Sequence, residues 1–577
     1  MRAEPRAIPR DVVAWSWLLS ACGFAFDLAA WWPGQMSYDS AYAWWQARGG
    51  GGNDIVPPAF TLAWRVSQHL ADGPGAVFAL HALAFWCGLA LFTQAFARSL
   101  AAAAATLLLA FAPPLLLLRG HAWTDVGVLS ALVLAAGALA RAQVAARNRG
   151  WLALALPALV YGSVVRHNGI TATLPLDLWW AWIACAGARG NSARVRVAVL
   201  TLVLVLFETG SARLLAAGTE RHTPVWPLAA VFDLAALSIA TDRVELPAFM
   251  VGPGMDAAEI GAAFRPWSAL PLLTGTRHGI RQPFEPPLDE AQLRELRRRW
   301  FDAIRAEPVA WLAHRLRVSA ALFGTHGADW PRGLIYEDGE YAYGDNPPVP
   351  ANAGALHRAL MHLAGRPASL AWLAAWPWLL LGLVALPRAW RRRDEPAGVA
   401  ALALAASAWS YALPMCVLAA SAELRYVGWS CAASLLAAAA AFAPRTVRTA
   451  RLEPNDLQGM PMATVQRYIF TIDDLPKARG ESHELSFQGG SAESFAALLQ
   501  QALREPVLWQ RWKAMQPDPD AVDPGLGASD PAATVEAHQS DVHVSVDVRS
   551  SLPHAVIKHR MTLLVGKHWS LRDVSAA

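Results

Sequence analysis

Apolar runs of about twenty residues, broken by short stretches that hold most of the arginines, dominate the chain as far as Pro444. At about 1.5 Å per helical residue, such a run crosses a hydrocarbon core about 30 Å thick. Keeping Lys and Arg of the short loops on the cytoplasmic side gives one consistent path. Arg2, Arg6 and Arg10 lie inside, and Val12 to Ala30 runs outward to a loop from Trp31 to Pro74. Gly75 to Ala97 returns, Ser99 to Leu118 goes out, and Asp125 to Ala140 comes back to Arg141, Arg147 and Arg149. Trp151 to Val165 and Ile170 to Ala186 flank an outer turn at Arg166-His167-Asn168-Gly169, and Val197 to Ala217 exits again. Ala368 to Leu386, Pro396 to Ala420 and Tyr426 to Pro444 complete a mostly α polytopic membrane protein of about ten transmembrane helices, both termini cytoplasmic.

Two apolar stretches fall outside this path. Pro57 to Leu70 is short and carries Arg65 and Gln68, so it reads as an interfacial or re-entrant helix. Pro308 to Gly324 carries His314, Arg315 and Arg317, and counting it as a span would place Arg388 and Arg391 to Arg393 outside. It is expected as a surface helix of an external segment, 218–367, set between the helices of 1–217 and those of 368–444.

Beyond a linker at 445–464 the pattern becomes that of a soluble protein, and 465–577 reads as a small cytoplasmic α+β domain. Gln466 to Ile472 and Asp541 to Arg549 have strand character, and Ala555 to Val565 is expected as a further strand. Ser491 is a plausible N-cap for a helix from Ala492 to Arg504, Pro506 breaks it, and Val507 to Met515 continues as a second helix. Gln516 to Ala532, rich in Pro, Asp and Gly, is expected as a loop. Asp518-Pro519-Asp520 spells D-x-D within it, a match ascribed to chance, and Gly566-Lys567 lacks the other residues of a phosphate loop.

Composition agrees with the pattern. Of 577 residues 55% are hydrophobic and only 16% charged, against about a quarter charged in soluble domains. The net charge of +4 comes from arginines dispersed among short loops, which argues against nucleic acid as a partner. Cys22, Cys87, Cys185, Cys416 and Cys431 all sit in apolar runs without metal-type spacing. The first run is longer than a signal-peptide core and no small-residue cleavage site follows it, so it is read as a retained span.

The threading sorts polar residues by side. Asp39, Asp54, His121, Asp125, Arg166, His167, Asn168, His222, Asp233, Glu423, Arg425 and Tyr426 all fall on or near the outer face. Ionisable groups at membrane depth are costly and usually face a cavity or a partner, so a polar outer cavity is expected. The plainer alternative makes Asp125 with Arg119, and Glu423 with Arg425, local ion pairs that hold helix ends.

In this order the motifs resemble the GT-C superfamily of integral-membrane glycosyltransferases, in particular a bacterial branch with a P-G-x-x-S-x-D-S first loop, here Pro33 to Ser40. Pro57-Pro58, Trp123-Thr124-Asp125, Arg166-His167-Asn168, Phe232 to Ser238 and Arg425-Tyr426 add to the resemblance, which covers about residues 10 to 443 and not the tail. It implies a sugar taken from a polyprenyl-phosphate carrier and passed, with inversion, to a cell-envelope glycan, lipid or protein acceptor at the outer face of the bacterial inner membrane. It also implies Asp39 as general base. A carboxylate partly desolvated at the membrane edge is chemically fit for that role. Arg166 and Arg425 are the phosphate candidates, because guanidinium offers fixed paired donors. His167, Asn168 and Tyr426 stand beside them, and Asp125 and Asp54 are candidates for a divalent cation or for orienting the acceptor. Relatives often place His before Pro57-Pro58, where this chain has Val56. The competing classes are a lipid or glycolipid transporter or flippase, and a non-catalytic membrane protein with a regulatory tail.

Overall fold

The structure, a computed structural model, describes residues 9–145, 148–185, 191–284, 286–325, 330–337, 339, 341–350, 352–366, 369–444, 465–516, 518–519, 522–540 and 543–576. The expected linker, 445–464, and Arg147 and Asp520 lie outside the described residues. The chain divides into two compact units, Met1–Arg448 and Thr449–Ala577.

The first unit is helical. Among its described residues six helices are long and apolar enough to cross a membrane: Arg10–Trp31, Gly75–Phe96, Thr124–Val144, Asn191–Ala217, Pro396–Leu418 and Leu424–Phe442. The other four expected spans are shorter or interrupted. Ser99 to Leu118 divides into Leu100–Leu108, a 3-10 turn Leu109–Phe111 and Pro113–Leu118, where Pro113 and Pro114 offer no N–H to continue the ladder. Arg149–Val164, Gly169–Ala184 and Trp376–Arg391 have 16 residues each, which is about 24 Å of helix.

Small residues set the middle of the bundle. Gly75–Phe96 and Thr124–Val144 cross where a Cβ on Gly137 would lie 2.1 Å from the Gly88 carbonyl oxygen, an approach that only glycine permits. Asp27, buried within Arg10–Trp31, ties the first helix to this pair. It accepts two bonds from Arg119, at 2.9 and 2.8 Å, and one from the Trp86 indole at 2.7 Å. Arg119 therefore belongs to Asp27, and the Arg119–Asp125 pairing weighed from the sequence does not form.

The segment after Ala217 is pinned by a second buried carboxylate. Asp233, on Trp226–Thr241, accepts from the Trp300 and Trp311 indoles at 2.8 and 2.9 Å and lies 2.7 Å from an Arg315 nitrogen and 3.2 Å from His314. The helix Pro308–Leu322 consequently differs from the expected surface helix. His314 and Arg315 are buried because Asp233 neutralises them, while Val309, Leu312 and Leu316 on its other side are exposed. Basic side chains also close the last span, where Arg388 and Arg392 donate to the Ala441 carbonyl at 2.9 and 2.8 Å. Cations are favoured at that end of a helix, where carbonyls lack intrahelical partners.

In the second unit four strands, β1 (Gln466–Asp473), β2 (Thr534–Ser540), β3 (His543–Ser550) and β4 (Trp569–Ala576), form an antiparallel sheet in the order β2-β3-β1-β4. With Ala492–Arg504 between β1 and β2 and His554–Val565 between β3 and β4, this is the βαββαβ arrangement of ferredoxin-like folds. Ser491 caps the first helix by accepting from the Ser494 N–H at 3.2 Å. The strand expected over Ala555 to Val565 is a helix. Val556, Ile557, Met561, Leu564 and Val565 are buried at helical spacing, a period of about 3.6 residues with Lys558 and His559 between the apolar pairs rather than the alternation of a strand.

Candidate active site at the outer helix ends

The site begins with how the first loop is held. Gln35 donates its N–H to the Gly120 carbonyl at 2.8 Å, and Ala122 donates to the Gln35 carbonyl at 3.0 Å, so the loop pairs with the stretch around His121. Gly34 has φ +104°, a conformation open to glycine and strained for other residues. Ser37 then starts the helix Tyr38–Ala47, its N–H donating to Ser40 Oγ at 3.1 Å and its Oγ accepting from the Trp123 indole at 2.8 Å. Asp39 sits in the first turn of that helix, where a carboxylate is favoured. Backbone pairing of the loop fixes its position, so its oxygens are not needed to hold the turn.

Arg425 meets it from the opposite side. One guanidinium nitrogen lies 2.6 Å from Asp39 Oδ2, and Nε donates to the Glu423 carboxylate. The cation is nearly buried and rests on the Trp123 and Tyr426 rings at 4.9 and 5.4 Å. Tyr426 also donates its hydroxyl to Glu423 at 3.1 Å. Arg166 also lies against the Tyr426 ring, 4.9 Å from its centre. Arg166 pairs with Asp125 and donates to Asn168 Oδ1 at 2.9 Å and Thr124 Oγ1 at 3.3 Å. Five of the expected residues, Asp39, Asp125, Arg166, Arg425 and Tyr426, thus form one array of two guanidinium groups and alternating carboxylates, with Asn168 at its edge.

Not all valences in the array are filled. Asp39 keeps 54% of its side chain exposed. Asp125 Oδ1 is buried without a hydrogen-bond partner. A guanidinium lies on one side of Asp39 and its other side is open. The Glu423–Arg425 ion pair does form, inside this array rather than apart from it.

Asp54, His167 and His222 make a neighbouring cluster. Asp54 is buried and saturated, by the Thr223 N–H at 2.6 Å and by His222 Nδ1. His167 Nε2 donates to the Ile55 carbonyl at 2.9 Å. Two histidines from later in the chain thus reach Asp54 and Ile55, the residues just before Val56. Asp233 stands apart as the structural hub described above. Among the described residues no group of three or more His, Cys, Asp and Glu could hold a metal ion.

Glu337 and Tyr411 were not anticipated. Burial raises the Glu337 carboxyl above its ordinary range, and it faces Arg425, Glu423 and Asp39. It lies in a polar loop with no local motif, so only its docking reveals it: the Glu337 N–H donates to His121 Nε2 at 2.9 Å. Tyr411 brings its hydroxyl to Arg166 and Asn168, and a tyrosine interrupting the apolar run from Pro396 was the available signal. His121 stacks on Trp123 at 3.9 Å. Burial pushes its pKa down to about 4, so the ring is neutral, donating from Nδ1 to the Leu117 carbonyl at 3.0 Å.

No family model, no curated protein and no solved structure matches the chain.

Proposed function

We propose that the first unit is a membrane glycosyltransferase of the GT-C kind, moving a sugar from a polyprenyl-phosphate carrier to an envelope acceptor at the outer face of the bacterial inner membrane. The observation that carries this reading is the half-exposed Asp39 carboxylate held 2.6 Å from Arg425, with Arg166 against the same Tyr426 ring. In this topology the shorter helices also cross, giving about ten spans, and both termini are cytoplasmic.

The chemistry follows from the charges. The acceptor hydroxyl oxygen bonds to the anomeric carbon, its proton passes to Asp39, and the bond from that carbon to the phosphate oxygen breaks. Negative charge grows on the departing phosphate, and Arg425 and Arg166 are the cations that stabilise it. Arg425 holds Asp39 until the donor phosphate competes for the same nitrogens, and this exchange frees the carboxylate. Attack from the face opposite the phosphate inverts the anomeric centre.

The test is transfer by the full chain in lipid nanodiscs, supplied with polyprenyl-phosphate sugars and an envelope extract. Asp39→Asn is expected to lower transfer by about 10²- to 10⁴-fold while the chain still folds, and unchanged transfer refutes the assignment. One observation favours a transporter instead. Asp177 and Glu208 are buried midway along their helices, and both Asp177 oxygens lack a hydrogen-bond partner. Loss of lipid translocation in Asp177→Asn, with Asp39→Asn unaffected, would decide for transport.

A further inference from the structure

The helix Pro308–Leu322 has two unlike sides. His314, Arg315, Val318, Ala321 and Leu322 are buried, and Asp233 takes the charges among them. The opposite side is Val309, Leu312, Leu316 and Ala320, positions i, i+3, i+7 and i+11 of one helix face. The three large residues are 79%, 52% and 60% exposed. A face turned to water carries polar residues, whereas a continuous apolar stripe left open belongs against a membrane or another protein.

Where the helix is fastened decides between the two. Arg315 donates to the Ala419 carbonyl at 2.7 Å, and Ser319 Oγ lies 3.5 Å from the Cys416 carbonyl oxygen. The helix therefore runs along the last turn of Pro396–Leu418, antiparallel to it. Just past its own end, the Trp376 N–H donates to the Phe323 carbonyl at 2.9 Å, where Trp376–Arg391 begins. It thus sits against the ends of two helices of the bundle. Leu413, Val417 and Leu418 are exposed at that end of the first, and Trp372 and Trp376 beside that of the second. Exposed apolar residues at the end of a span face lipid, and tryptophans collect at the headgroup level. With 15 residues, about 22 Å of helix, Pro308–Leu322 is too short to cross.

Charge agrees with lipid. The helix has no carboxylate, and Arg317 is exposed on the flank of the stripe, where a guanidinium reaches phosphate while its stem lies along apolar surface. We infer that Pro308–Leu322 is an interfacial anchor, with its Val309, Leu312 and Leu316 side set in the bilayer at the boundary of headgroups and acyl chains. Through Asp233 on its inner side, the anchor ties the segment after Ala217 to the lipid surface.

Photo-crosslinking of the full chain tests it, in nanodiscs of phosphatidylethanolamine and phosphatidylglycerol. Photoreactive p-benzoylphenylalanine replaces Leu312 in one variant and Leu316 in another; both side chains are exposed, so the packed side of the helix is left intact. After illumination, mass spectrometry is expected to find intact phospholipid attached at each position. The yield should be at least about tenfold that obtained when the same group replaces Glu290, whose side chain is 89% exposed and which lies outside the apolar stripe. A smaller ratio at either position, or crosslinks to a second copy of the chain in place of lipid, overturns the anchor. The readout is contact with lipid alone, so it stands or falls separately from transfer by Asp39.

Discussion

Asp27 with Arg119 and Asp39 with Arg425 are the same pair of functional groups in two different settings. Asp27 is fully buried, and its oxygens take two bonds from Arg119 and one from Trp86. Asp39 takes one contact from Arg425 and leaves half its side chain in the open. A saturated, buried ion pair holds structure and offers nothing to a ligand. A pair with free oxygens on one side and aromatic faces fixing the cation on the other is arranged for exchange. The two arginines also differ in where their charge goes: Arg119 is spent on Asp27, whereas Arg425 is divided between Asp39 and Glu423 and can be shared again.

Breaking each pair should therefore give opposite signatures. Arg119→Met strands the Asp27 carboxylate in the bundle, and unpairing a buried charge costs about 3–5 kcal/mol. Denaturant unfolding is expected to show that loss, with transfer per folded molecule little changed. Arg425→Lys keeps the charge and loses the fork that serves two carboxylates. Transfer should drop by roughly 10²- to 10³-fold with a modest stability change, seen by comparing initial rates with unfolding midpoints.

Acid sharpens the comparison from another side. His121 is held neutral, its pKa depressed to about 4 from 6.5, so the unfolded chain takes up a proton there first. Its contribution to stability is present above about 6.5 and is lost as pH falls toward 4, by a few kcal/mol at most. Glu337, whose carboxyl is raised, acts with the opposite sign and gains stability as pH falls. Unfolding midpoints between pH 7 and 4 should decline in the native chain and decline less in His121→Gln. The smallest effect belongs to His222→Ala. Its ring is 76% exposed, so loss of the Asp54 contact is expected to cost under about 1 kcal/mol.

Much of this architecture was legible in residue order. Runs such as Gly75 to Ala97 identify their spans because length and apolarity suffice, and Ser491 and Pro506 mark helix ends in the tail by their own chemistry. The array around Arg425 was legible as membership of one face, since the arginine threading groups Asp39, Asp125, Arg166 and Arg425. Its pairing was not. Asp125 has Arg119 six residues away and takes Arg166 instead, because Arg119 is drawn to a carboxylate 92 positions earlier. Glu337 reaches the site only through the docking of its loop on His121, a contact across 216 residues that no local pattern records. The helix His554–Val565 was legible and missed: its buried positions come in adjacent pairs four residues apart, the period of a helix and not the alternation of a strand.

On the proposed function, the open Asp39–Arg425 pair works and the closed Asp27–Arg119 pair holds. Mass spectrometry of envelope glycans tests it most directly, in cells whose only copy carries Asp39→Asn at native protein level. The account predicts a membrane-inserted, folded protein and the disappearance of one saccharide-bearing species. An unchanged glycan profile beside normal protein level would contradict it.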